Sequence, residues 1–452
     1  MSEGSKQNSG LEKALRYGLA AIGPIATAGS QFVLSLQLLH VLDIKSFGSF
    51  AFLLVTSQFS SGVWSALFCA PLPVLVTQGS AEQRQTMLRC LFATNLVLAA
   101  AAFFVFWALG EALGVAHGAA ALFAGYGAFA LLRWFGRAYA YVTGHQIRAT
   151  MSDLLYSLAL LAGLSAIYLT KSSDLYLPNA ALMVSAILSL IPFGGSYLIQ
   201  QFVRLSFRDI PRYREVWRRH SSWSLTGVVT TEATANAHAY IVTFFLGPTA
   251  FAPLSASALL IRPISVVMNA LTDFERPQMA RQLDAGNFGG ALHSLRTFRI
   301  AMIGIWALTA LAAAALIIFA PRLIFPERYA INYLAVAAAL WMAVAGIRSL
   351  RTADSVLLQA GGVFRELAYA SMISSGVSVL AVIGLLVWGG PLWSIAGILV
   401  GEVVYAAWIW REAARWRHRQ SAAGSDGAGP IAASPDTARA QPRERVDEEQ
   451  AS

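Results

Sequence analysis

Charge is scarce in this chain. Only 13% of its residues are Asp, Glu, Lys or Arg, whereas 56% are hydrophobic and the mean hydropathy is +0.56. A soluble globular protein carries roughly 25% charged residues, so the apolar surface implied here must face lipid. Cysteine is nearly absent: Cys69 and Cys90 are the two. Neither sits in a metal-ligand spacing, so both read as free thiols. Long polar stretches are also missing, apart from one internal segment and the C-terminal end, which excludes a soluble domain able to work alone. The hydrophobic run starting near Ala14 is too long for a secretory h-region and lacks a cleavage site, so it is expected to remain as a first span. The continuous runs exclude an outer-membrane barrel, whose strands alternate over roughly 10 residues.

A spanning helix needs roughly 20 mainly apolar residues. Twelve such stretches are expected, at 14–39, 47–70, 88–110, 118–142, 151–170, 178–202, 222–246, 250–272, 299–320, 329–350, 366–388 and 391–410. The fold class is therefore all-α: a polytopic membrane protein of about 12 transmembrane helices in two six-helix lobes. The organisation expected is an N-terminal segment 1–13, a first lobe 14–202, a basic amphipathic linker 203–221, a second lobe 222–410 and a basic, then disordered, tail 411–452. The net charge of +9 is topogenic. With the N-terminus inside, only Lys45, Lys171, Arg322 and Arg328 fall in outer loops, and the other basic residues of the span-flanking segments fall inside. Both termini are then cytoplasmic, and the basicity gives no support to a nucleic-acid partner. The linker RLSFRDIPRYREVWRRH, residues 204–220, interleaves aromatic and apolar residues with arginines, as an interfacial helix does.

The two lobes echo each other. LDIKSFGSFAFLLVTSQFSS, residues 42–61, lies over LGPTAFAPLSASALLIRPIS, residues 246–265, at a constant offset of 204, so that Gln58 falls on Arg262. Leu132-Arg133 with Gly144 and Arg148 downstream resembles Leu350-Arg351 with Gly361 and Arg365. Six spans per half return each half to the same side, which makes these parallel repeats.

Ionisable groups within spans cost roughly 2.5–3.5 kcal/mol on insertion scales, so each needs a partner or a watery cavity. Arg262 lies in span 8 on a polar stripe with Ser255, Ser265, Asn269 and Thr272, reading as a cavity wall or as a packing cation facing a carboxylate elsewhere. Span 7 carries Glu232 and His238 among many hydroxyls. Either is a candidate for H+ or Na+ coupling, and Glu232 is equally a candidate to neutralise Arg262. Arg133 and Arg137 share one face of span 4. Arg348, Arg351 and Asp354 are their counterparts at the inner end of span 10, expected as a cytoplasmic rim. Gln58 joins Ser61 and Ser65 on span 2. Arginines in a membrane cavity suit an anionic headgroup, because guanidinium binds phosphate oxygens bidentately. Arg262, Arg133, Arg137, Gln58 and Asn269 are thus the candidate substrate-binding set.

The phrases FGSFAFLL in span 2, AFAPLSASALLIRPIS in span 8, LIFPERY before span 10 and LLQAGGVFRE after it resemble the polysaccharide biosynthesis flippases of the multidrug/oligosaccharidyl-lipid/polysaccharide (MOP) exporter superfamily. The resemblance covers roughly residues 12–412. It implies a V-shaped pair of lobes and alternating access. It also implies translocation of a polyprenyl-(pyro)phosphate-linked oligosaccharide across the bacterial inner membrane for O-antigen, capsule or exopolysaccharide assembly, alongside membrane lipid and polysaccharide polymerase or export proteins. No cofactor and no enzymatic activity is implied. A cation-coupled exporter of the same superfamily is the alternative, although spans 1 and 2 hold no carboxylate of the kind such exporters carry in the N-terminal lobe. The span 2–3 loop, QGSAEQRQTMLR, lacks the Gly/Asp/Arg-rich motif of a major-facilitator transporter.

Overall fold

The structure is a computed structural model and describes residues 3–425 except 78–79 and 172. All regular elements among them are helical. Span 1 is Glu3–Val41, span 2 Ile44–Trp64, span 3 Ala81–Ala112, span 4 His117–Val142, span 5 Gln146–Thr170 and span 6 Tyr176–Leu188 continued by Gly195–Phe202. Span 7 is Ser222–Leu246, span 8 Pro248–Ala258 continued by Arg262–Asp284, span 9 Phe288–Phe319, span 10 Ile331–Ala360, span 11 Phe364–Gly389 and span 12 Ser394–Ser425. Eleven stretches among the described residues are long and apolar enough to cross a membrane. The twelfth, span 7, is a 25-residue helix whose Ser, Thr, Asn, His and Glu side chains make it the least apolar of the set.

Two expected spans are broken. Span 6 stops at Leu188, passes through a 3-10 turn at Ile191–Phe193 and restarts after Gly194, whose φ of 91° lies where glycine has no steric penalty. Pro192 inside that turn cannot donate a helical hydrogen bond. The freed carbonyls are satisfied from span 5: Ser152 Oγ donates to Ser189 O at 2.6 Å, and Arg148 donates to Phe193 O at 3.0 Å. Such repair is what an interrupted helix needs at membrane depth. Span 8 breaks at the 3-10 turn Leu259–Ile261 and restarts at Arg262, with Pro263 in its first turn. The connector also departs from expectation. Pro211 divides it into a 3-10 turn Phe207–Arg212, one α-turn Tyr213–Val216 and a π-turn Trp217–Ser221, so it is not a single amphipathic α-helix. Span 12 runs on through Ser425, past Gln420, after which a disordered tail is expected from the sequence; the rest of that tail, residues 426–452, lies outside the described residues.

Packing sorts the spans into two bundles. Span 1 packs on span 5, span 3 on span 4 and spans 4 and 5 on span 6; in the second half, span 7 packs on span 11, span 8 on spans 9 and 10, and span 12 on spans 10 and 11. Span 2 lies at the junction, against spans 7 and 8. The spans alternate in direction, so the connector, the Gly144, Gly286 and Gly362 turns and the arginine-rich end of span 12 share one end, the basic end. The remaining turns form the far end.

At the far end the bundles touch closely. A Cβ placed on Gly48 would overlap the carbonyl oxygen of Pro248, and would lie 2.6 Å from that carbonyl's carbon and 3.2 Å from Ala252 Cβ. Under the offset of 204, Ala252 is the repeat partner of Gly48. Nearby, Phe52 stacks edge-on against Phe251 with centroids 6.3 Å apart. Arg328 of the span 9–10 loop donates to the carbonyls of Leu39 and His40, the end of span 1. These contacts close the far end.

Candidate functional site

Intramembrane charge collects at three places. In the first bundle, Asp153 of span 5 is 1% exposed and holds two arginines of span 4: Arg133 Nη2 at 2.5 Å and Arg137 Nε at 3.0 Å, both to Oδ1. Arg133 is used up by its neighbours. It also donates to Thr27 Oγ1 and Ser152 Oγ, each at 3.3 Å, and its guanidinium lies 4.4 Å from the Tyr156 ring centroid. Gln31, one turn beyond Thr27 on span 1, donates to the Tyr156 and Tyr126 hydroxyls at 3.2 and 3.4 Å, which ties that span to the cluster a second time. Gly23 makes room for Asp153, since a Cβ there would sit 2.6 Å from Oδ2, an oxygen buried without a hydrogen bond. Arg137 is the more open of the two arginines, with 15% of its side chain exposed against 7% for Arg133.

The second bundle repeats this chemistry with different helices. Glu402 of span 12, also 1% exposed, accepts from Arg348 Nε and Nη2 at 3.0 and 2.6 Å through Oε1, and from Arg351 Nε at 2.8 Å through Oε2. Arg351 lies 4.3 Å from the Tyr405 ring centroid. In both bundles a carboxylate and a tyrosine three residues later, Asp153 with Tyr156 and Glu402 with Tyr405, clamp an arginine from the echoed Leu-Arg pair. Each cluster has two guanidinium groups on one carboxylate and so retains one positive charge. Asp354 pairs separately with Arg299 of span 9 at 2.7 Å. Arg348, Arg351 and Asp354, the residues expected at the cytoplasmic rim, are thus ion-paired within the second bundle, to Glu402 of span 12 and to the partly exposed Arg299 of span 9.

Arg262 stands apart from both clusters. It opens the second half of span 8, half-buried, and its Nη1 donates to Ser35 Oγ of span 1 at 3.2 Å, across the junction between bundles. Among the described residues no Asp or Glu lies within 4 Å of it. Glu232, a candidate for coupling and equally for neutralising Arg262, makes no ion pair with it: its Oε1 accepts from Asn236 Nδ2 and from the Tyr240 hydroxyl, both at 3.0 Å. Tyr240 packs edge-on against Phe52 and Phe59 of span 2, so Glu232, Asn236 and Tyr240 share the face of span 7 turned to the junction. His238 is 3% exposed in an aromatic box, 4.9 Å from the Trp341 ring, with Nδ1 unpartnered. Arg348 lies within electrostatic reach of both Glu232 and His238. Gln58 and Asn269 are exposed and make no hydrogen bond to Arg262. The expected substrate-binding set is thus not one cluster: Arg133 and Arg137 lie together in the first bundle on Asp153, while Arg262 lies at the junction with neither Gln58 nor Asn269 bonded to it.

Asp153, Glu402 and Arg299 were not singled out from sequence. An isolated carboxylate in MSDLLYSLALL or LVGEVVYAAW is itself the signal, because such a group must find a cation within the membrane. Among the described residues no three His, Cys, Asp or Glu side chains group in a way that could hold a metal ion.

No protein-family model and no curated protein sequence matches the chain. Solved structures do. A eukaryotic MATE transporter, AtDTX14, is 17% identical with a TM-score of 0.61, over 91% of this chain and 99% of its own. A multidrug resistance MATE family transporter of the MOP superfamily, in an inward-facing conformation, is 15% identical with a TM-score of 0.58, over 91% and 96%. The lipid II flippase MurJ, in an inward closed conformation, is 12% identical with a TM-score of 0.64, over 87% of both chains. At these identities the likeness concerns fold alone: the chain has the polytopic two-lobed fold of the MATE transporters and of the MurJ flippase.

Proposed function

We propose that this chain is a flippase. It carries a polyprenyl-(pyro)phosphate-linked oligosaccharide across the bacterial cytoplasmic membrane by alternating access of its two lobes, 14–202 and 222–410, for surface polysaccharide assembly. The observation that carries this reading is Arg262: a guanidinium between the two bundles, anchored only to a serine hydroxyl, with no carboxylate within 4 Å among the described residues. An uncompensated cation there is matched by a substrate that brings its own negative charge. Arg137 and Arg348, the more open members of two clusters that each retain positive charge, supply a further phosphate-attracting field from either lobe. With the basic end cytoplasmic, as the positive-inside rule directs, both termini are inside and the closed far end faces outward. Polysaccharide polymerase and export proteins are then the neighbours expected downstream.

The test is binding of a short-chain polyprenyl-pyrophosphate oligosaccharide to the purified protein, followed by native mass spectrometry. A hydrogen bond to a charged group contributes about 1.5–3 kcal/mol, so Arg262→Ala should weaken binding roughly 10- to 150-fold. Arg262→Lys should fall between, since lysine lacks the bidentate fork. Unchanged affinity in Arg262→Ala removes Arg262 from the mechanism.

One feature favours the second reading, a cation-coupled exporter. Glu232, half-buried at the junction with only the Asn236 amide and the Tyr240 hydroxyl donating to it, is an acidic group within a span that carries no cation partner within 4 Å among the described residues, which suits it to H+ or Na+. Saturable binding of a lipophilic cation, with none of the anionic lipid, would decide for the exporter.

A further inference from the structure

The connector between the bundles carries a second concentration of positive charge that the proposed transport path leaves unused. A groove of about 870 Å³ is lined by Arg212, Arg214, Arg218 and Arg219, with Glu215 as its one carboxylate, together with Met87 of span 3. It continues, through the shared Met87 and Arg219, into a smaller groove of about 350 Å³ that adds Arg84 at the start of span 3. Two of these arginines are engaged locally, Arg212 with Asp209 at 3.7 Å and Arg219 with Glu215 at 3.1 Å. Arg84, Arg214 and Arg218 are exposed, and among the described residues none has a carboxylate within 4 Å. The same connector presents Phe207 and Trp217 to the outside, 59% and 39% exposed. Exposed aromatics beside unpaired arginines, at the ends of spanning helices, make up a surface suited to the headgroup layer of a bilayer.

The connector is also tied to both bundles. The π-turn Ser65–Cys69 at the basic end of span 2 frees the Leu67 carbonyl, which accepts from Tyr213 Oη at 2.8 Å and from Ser221 Oγ at 2.9 Å. Burial pushes the Tyr213 phenol up to about 12, so it stays a donor at physiological pH. Ser221 passes directly into span 7. A ligand that orders the connector therefore acts on span 2 and span 7 together.

We propose that the groove of Arg84, Arg214 and Arg218 binds the phosphate headgroup of an anionic membrane phospholipid, and that this lipid steadies the far-end-closed arrangement through the Leu67 carbonyl. The inference needs only that the chain spans a membrane and is independent of the transported substrate. Guanidinium forks match a phosphodiester. The flanking Phe207 and Trp217 select a headgroup already held in the bilayer over a free ion.

The experiment adds phosphatidylglycerol, phosphatidylcholine or inorganic phosphate to the detergent-purified full chain and follows binding by native mass spectrometry and melting temperature. Phosphatidylglycerol should bind and raise the melting temperature, whereas the other two should not. Arg214→Gln with Arg218→Gln should weaken phosphatidylglycerol binding roughly 10- to 30-fold, in line with two surface arginines facing an anionic lipid. Both residues are exposed, so the double variant should melt like the parent without lipid, which separates lost binding from lost folding. Tyr213→Phe should keep the lipid bound but shrink its effect on melting temperature. Equal phosphatidylglycerol binding by parent and double variant, or an equal response to inorganic phosphate, would overturn the proposal.

Discussion

Gly48→Ala adds a single methyl group at the tightest contact between the two bundles, and its effect can be worked from the geometry. The new Cβ would lie 2.6 Å from the carbonyl carbon of Pro248, overlap its oxygen, and lie 3.2 Å from Ala252 Cβ. Carbon atoms pack at about 3.5–4.0 Å, so roughly 1 Å of separation must open between spans 2 and 8. The obstacle is backbone, and no side-chain rotation can clear it. Overpacking of this kind costs about 1–3 kcal/mol. The cost falls only on the arrangement in which the far end is closed, so it acts as a population shift of roughly 5- to 150-fold toward a far-end-open arrangement. Spin labels at Thr170 and Val387, exposed sites at the far end of the first and second bundles, would report this by electron–electron distance measurement after replacement of Cys69 and Cys90. The expected result is a longer distance component that is absent or minor in the parent. Gly29→Ala is the control, because nothing lies within 4 Å of its added Cβ, and it should leave the distances unchanged. Matching distance distributions for Gly48→Ala and the parent would refute the assignment of this contact as the far-end closure.

Other perturbations separate structure from function. Glu402→Gln leaves Arg348 and Arg351 facing each other without their shared carboxylate. Loss of one partner of a buried pair costs about 3–5 kcal/mol, so the midpoint of SDS-induced unfolding should fall clearly; a parent-like midpoint would mean that the pair contributes nothing. Arg133→Ala should destabilise by about 3 kcal/mol, whereas Arg137→Ala, which leaves Asp153 paired with Arg133, should cost about 1 kcal/mol and act mainly on substrate binding. Equal unfolding midpoints for those two variants would contradict the difference in burial. Glu232→Gln should keep its hydrogen bonds to Asn236 and Tyr240 and its stability while losing any dependence of transport on an imposed ion gradient. Retained gradient dependence would exclude Glu232 as the coupling group.

The sequence pattern was most informative where one physical constraint dominates. Apolar length set the spans, and the range expected for span 7 is the helix observed, despite its polarity. The breaks in spans 6 and 8 were written locally as Ile-Pro-Phe-Gly and Ile-Arg-Pro, yet an apolar window averages over such interruptions. Pairings were the least legible. Arg133 reads as a binding residue because an arginine within a span suits an anionic headgroup, but residue type alone does not reveal that Thr27, Ser152, Asp153 and Tyr156 converge on it from two other spans. Glu232 was matched to Arg262 by charge, whereas its partners follow at helical steps of four and eight on its own helix. That periodicity was available in the sequence, and complementarity of charge obscured it.

The close approach at Gly48 also shows what sets the distance between the two bundles. The wall that a side chain there would meet is the Pro248 carbonyl, part of the main chain, so it is the missing Cβ of one residue that lets spans 2 and 8 come together. A fit concentrated at a single backbone contact makes the spacing of two large bundles depend on one position, and a substitution there resets the approach of both.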